Sequence, residues 1–207
     1  MSLPYNQKYI TFDTETNGLN LVSVKPWQIA WALAEGTKIT KVYDEYLDWP
    51  DLHISDEIAR LTGFSKYEYN KRKKPPQEIW NMFKKDLLNE ERIVVGQNLI
   101  GYDVFVIASL QKYLNEKPDY SYISRIYDTR PLGKAYKEGI NPPSGNSDFL
   151  SWQYKIMHDR SLKSKSSQLY QLKNLGIDFD EKKLHDACYD VEMTFKIFLE
   201  LKKRMSL

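Results

Sequence analysis

Two runs near the start of the chain constrain it most. KYITFD at Lys8–Asp13 and WQIAWALA at Trp27–Ala34 are dense in β-branched and aromatic residues and are cut by the turn formers Asn17-Gly18 and Glu35-Gly36. Both runs read as strands, and a third over Lys38–Leu47 follows by a hairpin. Helical patterns take over next. Ser55–Leu61 opens on a cap-like serine, and Pro76–Leu88 spaces Ile79, Trp80, Phe83 and Leu87 along one face. RIVVG at Arg92–Gly96 then reads as a strand, Val104–Leu114 as a helix, Ser124–Asp128 as a strand and Pro131–Lys137 as a helix start. Ser167–Leu175 and Tyr189–Lys203 close the chain as helices. Strands that first meander and then alternate with helices predict an α/β fold. Its sheet is mixed and five-stranded, antiparallel then parallel, and flanked by helices.

With 207 residues, 42% of them apolar and 14% aromatic, the chain has material for one globular domain over 1–207 and is not disordered. Between Gly139 and Ser164 the periodicity fails. Pro142, Pro143, Gly145 and five serines mark a loop insertion at about 139–164 whose aromatics pack locally. Thirty Lys and Arg against twenty-eight Asp and Glu leave a formal charge of +2, so any contact with nucleic acid must be local. The single cysteine, Cys188, cannot make an internal disulfide or a cysteine-rich zinc site, which is consistent with a cytoplasmic setting. No apolar run approaches the length of a membrane span.

The chemistry begins at Asp13-Thr14-Glu15. Strand periodicity sends the two carboxylates to one face of the sheet, where two oxygen ligands converge. Such a pair is weak evidence alone, because chance supplies about four acidic pairs at this spacing in a chain so rich in acids. Order and context add to it. Asp103 follows a hydrophobic strand in GQNLIGYD at Gly96–Asp103, and HDACYD at His185–Asp190 opens the last helix.

These segments resemble the three motifs of the DEDDh 3'-to-5' exonucleases, a superfamily that includes polymerase proofreading subunits, RNase T, oligoribonuclease and TREX-type nucleases. DTETNGL at Asp13–Leu19 is similar to the first motif, Asn98 with Tyr102-Asp103 to the second, and His185 with Asp190 to the third. Gln97 stands where many relatives carry a histidine, and Asn98 precedes Asp103 by five residues rather than four. The superfamily's other branch places a tyrosine where this chain has Asp186.

The resemblance implies an RNase H-like domain that hydrolyses phosphodiester bonds at single-stranded DNA or RNA 3' ends and releases nucleoside 5'-monophosphates. It implies Asp13, Glu15, Asp103 and Asp190 as ligands of two divalent cations. Hard carboxylate oxygens suit Mg²⁺ or Mn²⁺. His185 is implied as the catalytic general base, a role that an imidazole titrating near neutrality can fill. Thr14, Thr16, Leu19 and Asn98 are implied as substrate contacts, with Leu19 wedged against the terminal base. Two alternatives stand beside this reading. One is a proofreading subunit that works beside a polymerase; the other is a non-catalytic module that binds nucleic-acid ends. No residue pattern identifies a polymerase or a second copy of the chain as partner. The basic run Lys71–Lys74 reads as solvated loop or phosphate grip, and Arg160, Lys163 and Lys165 lie with Trp152 and Tyr154 in a segment suited to phosphate contact and base stacking.

Overall fold

The computed structural model describes residues 3, 4, 6–143, 148–184 and 186–207. In chain order the elements are β1 Lys8–Thr16, β2 Pro26–Glu35, β3 Lys38–Tyr46, α1 Asp56–Thr62, α2 Lys66–Arg72, α3 Pro76–Leu87, β4 Arg92–Gly96, α4 Asp103–Tyr113, β5 Ile126–Asp128, α5 Thr129–Glu138, α6 Phe149–His158, α7 Gln168–Leu175 and α8 Ala187–Met205. The sheet order is β3-β2-β1-β4-β5. β1 and β3 run antiparallel to β2, whereas β4 runs parallel to β1 and β5 parallel to β4. This is the mixed sheet the sequence predicts. Each parallel pair needs a crossover, and helices supply both.

Side-chain alternation along β1 divides the core. Ile10 and Phe12 point to a layer built with Trp31 of β2, Ile79, Trp80 and Phe83 of α3, and Ile107 and Leu110 of α4. Tyr9 points the other way, into the rings of Phe195 and Phe198 on α8 at centroid distances of 5.5 and 5.4 Å. On that second face β2 offers Gln28, Ala30, Ala32 and Ala34, of which Ala30 and Ala32 pack with Ala187 and Val191. Small side chains on both partners bring the first turn of α8 close to the sheet.

β1 runs through the acidic pair to Thr16, so both acids stand at the end of the strand, as its periodicity predicts. Two segments depart from the sequence reading. α2 was not anticipated: KYEYNKR buries only Tyr69 and so carries no apolar stripe to read. Within 139–164, read as a loop, Phe149–His158 forms α6. Its Gln153 side chain is fully buried; the carbonyl accepts from Asp128 N–H at 2.8 Å and the amide donates to the Ile126 carbonyl at 2.8 Å. Helix α6 thus satisfies the outer edge of β5, backbone that would otherwise lie unpaired at a sheet margin. Among the described residues, no helix is long and apolar enough to cross a membrane.

Candidate active site

The carboxylates meet at the carboxyl end of β1. Asp13 lies opposite Ala30 and Glu15 opposite Gln28 in the antiparallel register. The alternation that sends Tyr9 toward α8 sends Asp13 and Glu15 to the same face. Asp190 sits in the first turn of α8, behind an N-cap in which Asp186 accepts from Tyr189 N–H at 2.9 Å. A carboxylate there gains from the positive end of the helix dipole.

Asp103 arrives from the other side of the sheet, the layer that α4 packs in. It is the first residue of α4 and almost wholly buried, and the hydroxyl of Thr14 donates to its Oδ1 at 2.6 Å. Thr14 was predicted as a substrate contact; in the structure its hydroxyl is buried and engaged with this carboxylate. The interleaved order Asp13-Thr14-Glu15 therefore places two acids on one side of the strand and orients a third through the residue between them.

These groups feel one another strongly. Burial pushes the Glu15 carboxyl up to about 9, with Asp13, Asp190 and Asp103 adding repulsion in that order. Burial, then Asp13, holds Asp103 well above the usual carboxylate range, against the opposing hydrogen bond from Thr14. Among the described residues, no three His, Cys, Asp or Glu side chains are drawn together closely enough to hold an ion as they stand. The donor set still suits a hard divalent cation: its oxygens are all carboxylate, they share one region, and their charges are costly together. The Cys188 thiol is pushed up to about 12 by burial, which keeps it out of nucleophilic or metal-binding chemistry.

The remaining predicted residues are spread around this cluster. Thr16 Oγ1 lies 2.8 Å from the Tyr102 hydroxyl, which donates to the Gly18 carbonyl at 2.7 Å, so the loop after β1 is tied to the turn before α4. Leu19 is 83% exposed. Asn98 adopts a left-handed backbone, φ 70°, and its side-chain oxygen accepts from Arg130 Nη1 at 2.8 Å. A Cβ on Gly101 would lie 2.5 Å from that oxygen, so a side chain there would displace the Asn98 amide. His185, the expected base, lies outside the described residues.

Sequence reasoning missed Asp128. Fully buried at the end of β5, it accepts from the backbone N–H groups of Asn98 at 2.7 Å, Ile100 at 3.0 Å and Arg130 at 3.0 Å. Burial raises its carboxyl to about 6 despite those three bonds. One side chain therefore caps α5 and fixes the turn that delivers Asp103. A capping signal was visible, because an aspartate follows a strand and stands three residues before Pro131. Its long-range bonds to the Asn98–Ile100 turn were not. Gln168 was also missed; its amide donates to the Asp190 carbonyl at 2.8 Å and to Thr194 Oγ1 at 2.9 Å, bracing the start of α8.

Residues 10–198 match the sequence profile of the exonuclease family, RNase T type. No curated protein matches the chain. Among solved structures, exonuclease I superposes with a TM-score of 0.75 at 17% identity, over 97% of this chain and 42% of that one. E. coli exonuclease I in complex with a dA16 oligonucleotide gives the same values. The zinc-bound E. coli ExoI-ssDNA complex gives a TM-score of 0.74 at 18% identity, over 97% of this chain and 41% of that one. This chain therefore spans about two fifths of the exonuclease I chains it matches. The likeness shows the RNase H-like fold, and the profile match covers all four carboxylates. The chain belongs to the exonuclease family, within the DEDDh 3'-to-5' exonuclease superfamily.

Proposed function

We propose that the chain is a cation-dependent exonuclease that shortens single-stranded DNA or RNA from the 3' end and releases nucleoside 5'-monophosphates. One observation carries this reading: carboxylates from β1, α4 and α8 face one region, where Asp13, Asp190 and Asp103 raise the proton affinity of Glu15 and Asp13 raises that of buried Asp103. A module that only bound a polyanion would gain nothing from gathering negative charge. Asp13, Glu15, Asp103 and Asp190 would hold two divalent cations, Mg²⁺ or Mn²⁺. When bound, such ions supply charge neutralisation, an activated water and stabilisation of the leaving 3'-oxygen.

The chain's own side chains do the rest. β1, paired with β4 over Lys8–Thr11 and with β2 along its length, presents Asp13 and Glu15 beyond the β4 pairing, and Thr14 fixes the orientation of Asp103. His185, one residue before the α8 cap, is assigned as general base from its place in the motif, taking the proton of the attacking water. Leu19 offers an apolar surface to the terminal base, and Thr16 and Asn98 border the same region through Tyr102 and Arg130. Single strands are the favoured substrate because exonuclease I, of the same fold, has been solved with a dA16 oligonucleotide and with ssDNA. The free cysteine is compatible with a reducing, cytoplasmic setting.

The test is digestion of 3'- and 5'-end-labelled single-stranded DNA and RNA with Mg²⁺ or Mn²⁺, using wild type, Asp13→Ala and His185→Ala. Stepwise shortening from the 3' end, lost in both variants, is the expected result. No hydrolysis by the wild type with either metal, or shortening from the 5' end, would overturn the reading.

A further inference from the structure

Beside the carboxylates, a cleft of about 650 Å³ opens between α5, the end of α6 and the segment 162–168. Its walls carry Arg130, Lys134, Lys163 and Lys165, and no carboxylate of the described residues lines it. In a chain of nearly balanced charge, that local asymmetry is pronounced. None of the four cations forms an ion pair within 4.0 Å among the described residues. Their hydrogen bonds go to neutral acceptors instead: Arg130 to the Asn98 side chain, Lys134 to the Asp159 carbonyl at 2.8 Å and Lys163 to the Arg160 carbonyl at 2.7 Å. Lys134 is the most compensated, because it is buried and the carboxylates of Glu138 and Asp159 feel its charge. The buried carboxyl of Asp128 likewise feels the charge of Arg130, so the positive character open to a ligand rests on Lys163 and Lys165.

The cleft adjoins the site through two of its own walls. Asn98 belongs to the turn that leads to Asp103, and Gln168 holds the backbone of Asp190. A strand with its last phosphodiester at the carboxylates must continue away from them. The side at Asn98 and Gln168 leads into a cavity lined by cations, three serine hydroxyls and side-chain amides. Its size falls within the ~300–1,000 Å³ range of ligand sites. Resting on the nuclease reading above, we infer that this cleft binds the phosphodiester backbone of the single strand upstream of the scissile bond, with Lys163 and Lys165 as its phosphate-contacting residues. Ordinary strand binding combines such a track with sequence-independent contacts and strong salt dependence.

The test compares wild type, Lys163→Gln/Lys165→Gln and a control of equal charge change, Lys38→Gln/Lys117→Gln, whose lysines are exposed elsewhere. Binding of a fluorescein-labelled dT or rU oligonucleotide of about twelve residues, without divalent cations, reads the cleft independently of hydrolysis. Removing two phosphate contacts should weaken binding about tenfold or more and make the log Kd against log salt slope shallower by about 1.4. In the presence of Mn²⁺ the same variant should raise KM for the oligonucleotide. It should leave kcat on the p-nitrophenyl ester of thymidine 5'-monophosphate, which has no upstream phosphate, at the wild-type value. Unchanged affinity and slope, or equal loss in the control variant, would overturn the cleft assignment while leaving hydrolysis intact. A wild type that binds through the cleft but hydrolyses neither substrate would sink the nuclease reading alone.

Discussion

Along β3 and the end of α2, charges alternate into pairs: Arg72 with Asp44 at 2.6 Å, Lys73 with Asp48 at 2.8 Å and Lys74 with Glu45 at 2.6 Å. At the carboxyl end of β1, like charges face one another instead, and Asp13, Asp190 and Asp103 all raise the proton affinity of Glu15. Both regions are rich in acids within the same sheet, so composition does not separate them. The first region uses its charges to dock a short polar helix with little apolar surface, each partly exposed pair adding up to ~1 kcal/mol. The second loses stability by gathering anions in a buried place, a cost that a cationic ligand would relieve. The Lys71–Lys74 run, legible in the sequence only as a basic stretch, has three of its four members committed to carboxylates and is poorly placed to grip phosphate.

Exchanging one acid for its amide in each region gives the widest contrast. Asp13→Asn should lower hydrolysis by at least ~10²-fold, the scale on which electrostatic stabilisation of a transition state is lost. Its melting temperature without divalent cations should hold or rise. Asp44→Asn removes the Arg72 pair and weakens the bond that Gln28 donates at 2.6 Å, so stability should fall by about 1 kcal/mol with turnover unchanged. Assays of rate and thermal unfolding on both variants settle this, and the reverse pattern would end the comparison.

A buried acid that is satisfied by backbone donors rather than by a cation lies between these cases. Asp128→Asn keeps one acceptor oxygen for three N–H groups, so it should destabilise by about 1–3 kcal/mol. Because the turn before Asp103 then loosens, kcat should drop by about tenfold. Denaturant unfolding and steady-state kinetics measure the two effects, and a variant indistinguishable from wild type would show that Asp128 is dispensable to the turn.

The smallest effect is a pH dependence. Folding raises the Glu15 carboxyl from an ordinary 4.5 to about 9, so its contribution to stability is full below pH 4.5 and is lost as pH rises toward 9. Without divalent cations, Glu15→Gln should match wild type near the lower limit and melt higher as pH approaches the upper one. Equal melting temperatures across that window would mean that the acids do not strain the fold.

Much of the frame was legible because periodicity encodes it. The two-residue period of β1 places Asp13 and Glu15 together, and the apolar stripe of α3 marks it as core-facing. The structure adds what no local pattern carries. Thr14 lies between two acids, but only the approach of α4 shows that its hydroxyl serves Asp103. Gln153 looks like a surface residue in a serine-rich stretch until α6 is seen closing the edge of β5, and the motif around Asn98 gives no hint that Asp128, thirty residues on, fixes its backbone.

The central claim is that the carboxylate cluster exists to hold cations, and calorimetric titration with Mn²⁺ near neutral pH, without nucleic acid, tests it most directly. Wild type should show saturable binding with proton release, seen as a heat that varies with the buffer, because Glu15 must give up its proton to become a ligand. Asp13→Asn should lose that binding. Absence of saturable binding by wild type at millimolar Mn²⁺, or equal binding by the variant, would contradict the account.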